Sequence, residues 1–86
     1  MANMSFGRKL RFNRLSLGLT QEEVADLIGV SRCSVTRWEE DKVFPNLAVW
    51  PRIAEVLGIP MEEIAEAYQE VSSKRKGEEV KDGGSN

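Results

Sequence analysis

Eighty-six residues with 41% hydrophobic content supply one small core but not the depth for an enclosed catalytic cleft, which argues against an enzyme. With no histidine and a single cysteine, Cys33, the usual zinc-ligand sets, histidine-based triads and an internal disulfide are excluded, so neither a metal nor another cofactor is expected. The formal net charge of −2 hides a polarity: four bases and no acids precede Gln21, whereas residues 51–71 hold one base, Arg52, and five acids. The chain has no apolar run long enough to span a membrane and no apolar core of a secretory signal near its start, so a cytoplasmic location is expected.

A first helix is predicted over residues 6–17. Ser5 can cap it, Phe6 and Leu10 share one face, Gly18 stops it, and Arg8, Lys9, Arg11 and Arg14 lie mostly off that face. Thr20 then opens a second helix as N-cap, with Glu23 three residues on completing a capping box. Val24 and Ile28 point inward, while Leu27 falls off the core side and is expected to be partly exposed or to serve a contact surface. Ala25 is small enough for a close helix crossing, and Gly29 accepts the positive φ of a tight turn. Ser31 caps a third helix over residues 32–39, with Val35 and Trp38 as its buried stripe and Arg32, Cys33, Thr36 and Arg37 as an outward one. Two short helices crossing at such a turn read as a helix-turn-helix, a motif that commonly lays its second helix in the DNA major groove.

Residues 40–45 read as a loop, and Asn46 caps a fourth helix that runs to Leu57 before Gly58. Pro51 breaks a local rule there, since inside a helix it costs ~3 kcal/mol. Residues 47–50 are therefore expected to form a distorted or separate first turn, with Pro51 close to the true helix start and Ile53, Ala54 and Leu57 facing the core. A fifth helix follows from Pro60 to about Val71, with acids in its first turn and Ile64, Ala65 and Tyr68 at helical spacing. Residues 72–86, whose one large apolar residue is Val80, read as a flexible charged tail, giving a domain over residues 5–71 and a tail over 72–86.

The chain from about residue 6 to 64 resembles the Cro/repressor-type helix-turn-helix family, which includes the lambdoid phage repressors and many small bacterial regulators. The matching residues are Leu10, Arg11 and Arg14, the run Gly18-Leu19-Thr20-Gln21-Glu22-Glu23-Val24-Ala25, and Gly29-Val30-Ser31. They continue with Val35-Thr36-Arg37-Trp38-Glu39, Pro45 with Leu47, and Ile53-Ala54 with Leu57-Gly58. The resemblance implies an all-α, five-helix, lambda-repressor-like DNA-binding domain whose helix-turn-helix is formed by helices 2 and 3. It implies base reading by Arg32, Cys33 and Arg37 with Ser34 and Thr36 beside them, and phosphate contact by Gln21; Ser31, Lys42 and Arg11 are further candidates for phosphate contact. It also implies a salt bridge between Arg14 and Glu39 and a brace from Gln21 to the recognition helix.

The chemistry of the outward arginines suits that role, because a guanidinium fork matches the O6 and N7 of guanine. Cys33 reads as a small groove-facing side chain, with redox sensing as the alternative. One departure stands out: where the family often has an Asn-Gly or similar pair, this chain has Glu40-Asp41. Either those carboxylates turn away and leave Lys42 to meet the phosphate, or the fold serves another partner. The leading expectation is a transcriptional regulator that binds double-stranded DNA as a homodimer on a palindromic operator. The alternative is a protein-interaction module, such as an antitoxin-like or anti-regulator subunit, engaging a protein through its acidic face or tail.

Overall fold

Each helix starts where the chain supplies a cap. In the computed structural model, which describes residues 4–83 and the side chains through residue 72, five α-helices are present among the described residues. Helix α1 (Phe6–Ser16) is capped by Ser5, whose Oγ accepts from the Arg8 amide at 3.2 Å. Helix α2 (Gln21–Ile28) opens on the reciprocal Thr20–Glu23 box, with bonds of 3.0 and 2.9 Å. Helix α3 (Arg32–Glu39) is capped by Ser31. Between α2 and α3, Gly29 takes φ of +91°, and the amides of Gly29 and Val30 both return to the Ala25 carbonyl.

The proline conflict resolves by splitting the segment. Asn46 caps a 3-10 turn (Leu47–Val49), and α4 (Trp50–Leu57) begins afresh with Pro51 in its first turn, where helix geometry leaves an N–H without an acceptor anyway. Helix α5 (Met61–Gly83) continues twelve residues beyond the end near Val71 that the composition suggests. The charged cluster Lys74-Arg75-Lys76, the rest of the side chains from residue 73 onward and all of residues 84–86 lie outside what is described.

The core joins one stripe from every helix: Leu10 from α1, Val24, Ala25 and Ile28 from α2, Val35 and Trp38 from α3, Trp50, Ile53 and Leu57 from α4, and Ile64 from α5. Ile59, in the link between α4 and α5, is 1% exposed and belongs to the same core, a place that helical spacing does not indicate. Asn13 Nδ2 donates to the Leu57 carbonyl at 2.8 Å, tying α1 to the end of α4.

A second, aromatic cluster lies beside this core. Phe44 stacks on Phe6 at 4.8 Å between centroids and meets Trp50 and Tyr68 at 6.0 and 5.4 Å. Trp50 Nε1 donates to the Pro45 carbonyl at 3.1 Å, so its indole is buried without losing its hydrogen bond. Tyr68, at helical spacing from Ile64, stays 46% exposed at the edge of the core. Leu27 is exposed, as expected from its place on α2.

Candidate nucleic-acid interface

The back of α3 is fixed by polar as well as apolar contacts. Arg14 and Glu39 are both buried and form a two-pronged ion pair, Nε to Oε2 at 2.6 Å and Nη2 to Oε1 at 3.1 Å. Arg14 Nη1 also donates to the Leu19 carbonyl at 2.8 Å, so the guanidinium joins α1, α3 and the turn before α2. Gln21 adds a further link: its Nε2 donates to Glu39 Oε1 at 3.0 Å, and its Oε1 accepts from Thr36 Oγ1 at 2.9 Å. No buried side-chain nitrogen or oxygen among the described residues lacks a partner, which is the condition for such a network to hold a helix in one orientation.

On the other side of α3, Arg32, Cys33 and Arg37 are exposed. Thr36 differs from the outward placement that its spacing gives. It is half-buried at the edge of the stripe, and its hydroxyl is shared between Gln21 and the Arg32 carbonyl, 3.1 Å away. The reason is the helix crossing: Thr36 lies on the flank nearest α2, within reach of a long amide that periodicity along α3 alone does not reveal. Ser34 is also half-buried, with its hydroxyl 3.2 Å from that of the N-cap Ser31.

The flanking charges divide clearly. Arg11 is exposed on α1 and Lys42 is exposed after α3. Arg32 shares a shallow groove with Leu15, Thr20 and Gln21 at the start of α2, which brings a base-reading candidate and a phosphate candidate together. Glu40 stays at the surface 3.7 Å from Lys42 Nζ, an exposed pair of small energetic weight. Asp41, by contrast, turns away from this surface: its Oδ2 accepts from Ser5 Oγ at 2.6 Å and its Oδ1 from the Gly7 amide at 2.9 Å. Sequence reasoning missed Gly7, and the one available signal was a glycine in the first turn of a helical pattern.

A sequence profile described as helix-turn-helix matches residues 10–64. The chain belongs to the helix-turn-helix family. Among the helix-turn-helix relatives, an uncharacterized HTH-type transcriptional regulator of Methanothermobacter thermautotrophicus is 43% identical over 49 residues, 57% of this chain and 71% of that one. The HTH-type transcriptional activator BcrR of Enterococcus faecalis is 33% identical over 61 residues, 71% of this chain but 30% of the relative's own length.

Solved structures share this fold. The P22 c2 repressor in complex with a synthetic operator superposes with a TM-score of 0.68 at 21% identity, covering 72% of this chain and 94% of that one. The restriction-modification controller protein C.AhdI of Aeromonas hydrophila gives a TM-score of 0.62 at 34% identity over 69% of this chain and 89% of that one. The described residues thus form an all-α helix-turn-helix domain that shares the fold of the P22 c2 repressor, with α2 and α3 as the motif. No helix among the described residues is long and apolar enough to cross a membrane.

Proposed function

We propose that this chain is a sequence-specific regulator of transcription that binds double-stranded DNA in the cytoplasm, with α3 in the major groove. The observation that carries this reading is the division of α3 into a fully bonded back and an open face bearing Arg32, Cys33 and Arg37. Arg32 and Arg37 read base edges through their guanidinium forks, with Cys33 as a small neighbour and Ser34 and Thr36 at the margin. Lys42, Arg11 and Ser31 meet phosphates, as does the start of α2. Because the Gln21 side chain is committed to Glu39 and Thr36, Gln21 offers a phosphate its backbone amide in the first turn of α2.

A domain of this size makes few contacts, so the reading includes a homodimer on a palindromic site with half-sites about one helical turn, ~34 Å, apart. The outer face of α5 is the favoured interface, with the exposed Leu27 of α2 the lesser candidate.

Selection from genomic fragments followed by binding across a salt series tests the proposal. One enriched motif with a steep salt dependence is the expected outcome. If no sequence is enriched and Arg37→Ala binds duplex DNA as the wild type does, the proposal fails. A second reading, docking of a protein partner, draws on the open cleft of about 740 Å³ between α1 and α5, where Glu66 and Glu70 flank apolar Phe6, Ala67 and Val71 while Glu63 is paired with Lys9. Retrieval of a stoichiometric protein partner by the full chain, lost on charge reversal of Glu66 and Glu70, is what that reading requires.

A further inference from the structure

Asp41 stands at an unusual backbone position. The amide of Lys42 returns to the Arg37 carbonyl at 2.9 Å and that of Asp41 to the Trp38 carbonyl at 3.1 Å, the paired bonds that close a helix on a left-handed residue. That residue is Asp41, with φ of +60°, the one positive-φ position among the described residues not occupied by glycine. Glycine takes this conformation freely, whereas aspartate adopts it at a cost that local hydrogen bonds must offset.

The carboxylate gained at that cost is used across the molecule. Its bonds to Ser5 Oγ and the Gly7 amide join the end of α3 to the start of α1. The first turn of α1 contains no acid of its own, so Asp41 supplies the negative charge that the positive end of the helix dipole favours. The two backbones meet here without any intervening side chain. A Cβ at Gly7 would lie 2.5 Å from the Trp38 carbonyl oxygen and 2.6 Å from that of Glu39. Arg14 and Glu39 already tie α3 to α1 at one point. A second tie two residues further along adds a fixed point where α3 ends and Lys42 leaves it.

We propose that Asp41 is a positioning residue for DNA recognition: acting through α1, it fixes the pose of α3 and the height at which Lys42 leaves the helix. This inference rests on the reading of α3 as the recognition helix. It also accounts for an acid beside a DNA-facing surface, since the carboxylate is spent on α1 and not presented to the phosphates.

The test compares full-length Asp41→Gly, Asp41→Asn and Ser5→Ala with wild type on the operator that wild type selects and on an unrelated duplex. Glycine keeps the backbone at ease and removes only the carboxylate, while asparagine keeps an acceptor for the Gly7 amide and tolerates the left-handed conformation. Loss of a negative charge by itself strengthens binding to any duplex. Positioning predicts the opposite sign for Asp41→Gly, an operator affinity weakened about tenfold with a smaller change on the unrelated duplex. Asp41→Asn binds the operator at least as tightly as wild type, and Ser5→Ala loses about threefold. Amide hydrogen exchange at Gly7 speeds up in Asp41→Gly and not in Asp41→Asn. Operator binding at or above the wild-type level by Asp41→Gly overturns the role of Asp41 alone, whatever Ser5→Ala does, because Ser5 also caps α1. A wild-type protein that selects no duplex overturns the regulator reading and this inference together.

Discussion

Along one side of α3, Val35, Trp38 and Glu39 are buried and joined to α1 and α2, whereas along the other Arg32, Cys33 and Arg37 face solvent and no ion pair among the described residues uses either arginine. A surface that reads a ligand needs groups without internal partners, and those groups are useful only on a frame that does not move. In this chain the frame is a buried charge pair, an amide brace and an aspartate latch, while the open face is left chemically unspent. Substitutions on the two sides should therefore separate stability from binding.

The largest effect is expected from Glu39→Ala, which strands the buried guanidinium of Arg14 and should cost ~3–5 kcal/mol in denaturant unfolding. Replacing both partners, as in Arg14→Met with Glu39→Leu, should recover most of that loss, because the penalty arises from the orphaned charge and not from absence of the pair. Val35→Ala comes next, at about 2 kcal/mol of stability through a cavity where α3 meets the core. Wild-type stability in that variant would show that the frame is not built as described.

On the open side the pattern should reverse. Arg37→Ala is expected to cost ~1–3 kcal/mol in binding at one base pair, measured by competition among operator variants, with its unfolding midpoint unchanged. Lys42→Ala should weaken all duplexes about equally and lower the slope of log K against log salt by about one. A drop in thermal stability from either change would erase the contrast between the two sides of α3.

Features carried by neighbours in sequence were legible in the sequence. Ser5, Thr20 with Glu23, Ser31 and Asn46 announce helix starts because a cap bonds amides two or three residues away. Pro51 likewise revealed the break before α4, because its missing N–H restricts where a helix can begin. The exposure of Arg32, Cys33 and Arg37 followed from helical spacing alone. The Arg14–Glu39 pair entered through resemblance to a family, since two charges 25 residues apart carry no local signature.

What periodicity could not supply was the meeting of distant segments. Phe44 sits in a loop by composition, yet it gathers Phe6, Trp50 and Tyr68 around it, and Ile59 is buried from a connection. Thr36 lies at the margin because α2 crosses α3 on that flank, and Gln21 turns its amide inward for the same reason. Glu40 and Asp41 are adjacent carboxylates with the same apparent meaning in the sequence. Only the tertiary structure separates them, because the left-handed backbone at Asp41 swings its side chain to Gly7, 34 residues away, and leaves Glu40 at the surface. The sequence by itself determined where the helices begin, their caps and the exposure of Arg32, Cys33 and Arg37, all set by interactions within a few residues, but neither the length of α5 nor the place of Thr36. Which polar groups are consumed in holding that face still was decided by packing between helices, where contact depends on how segments cross in space.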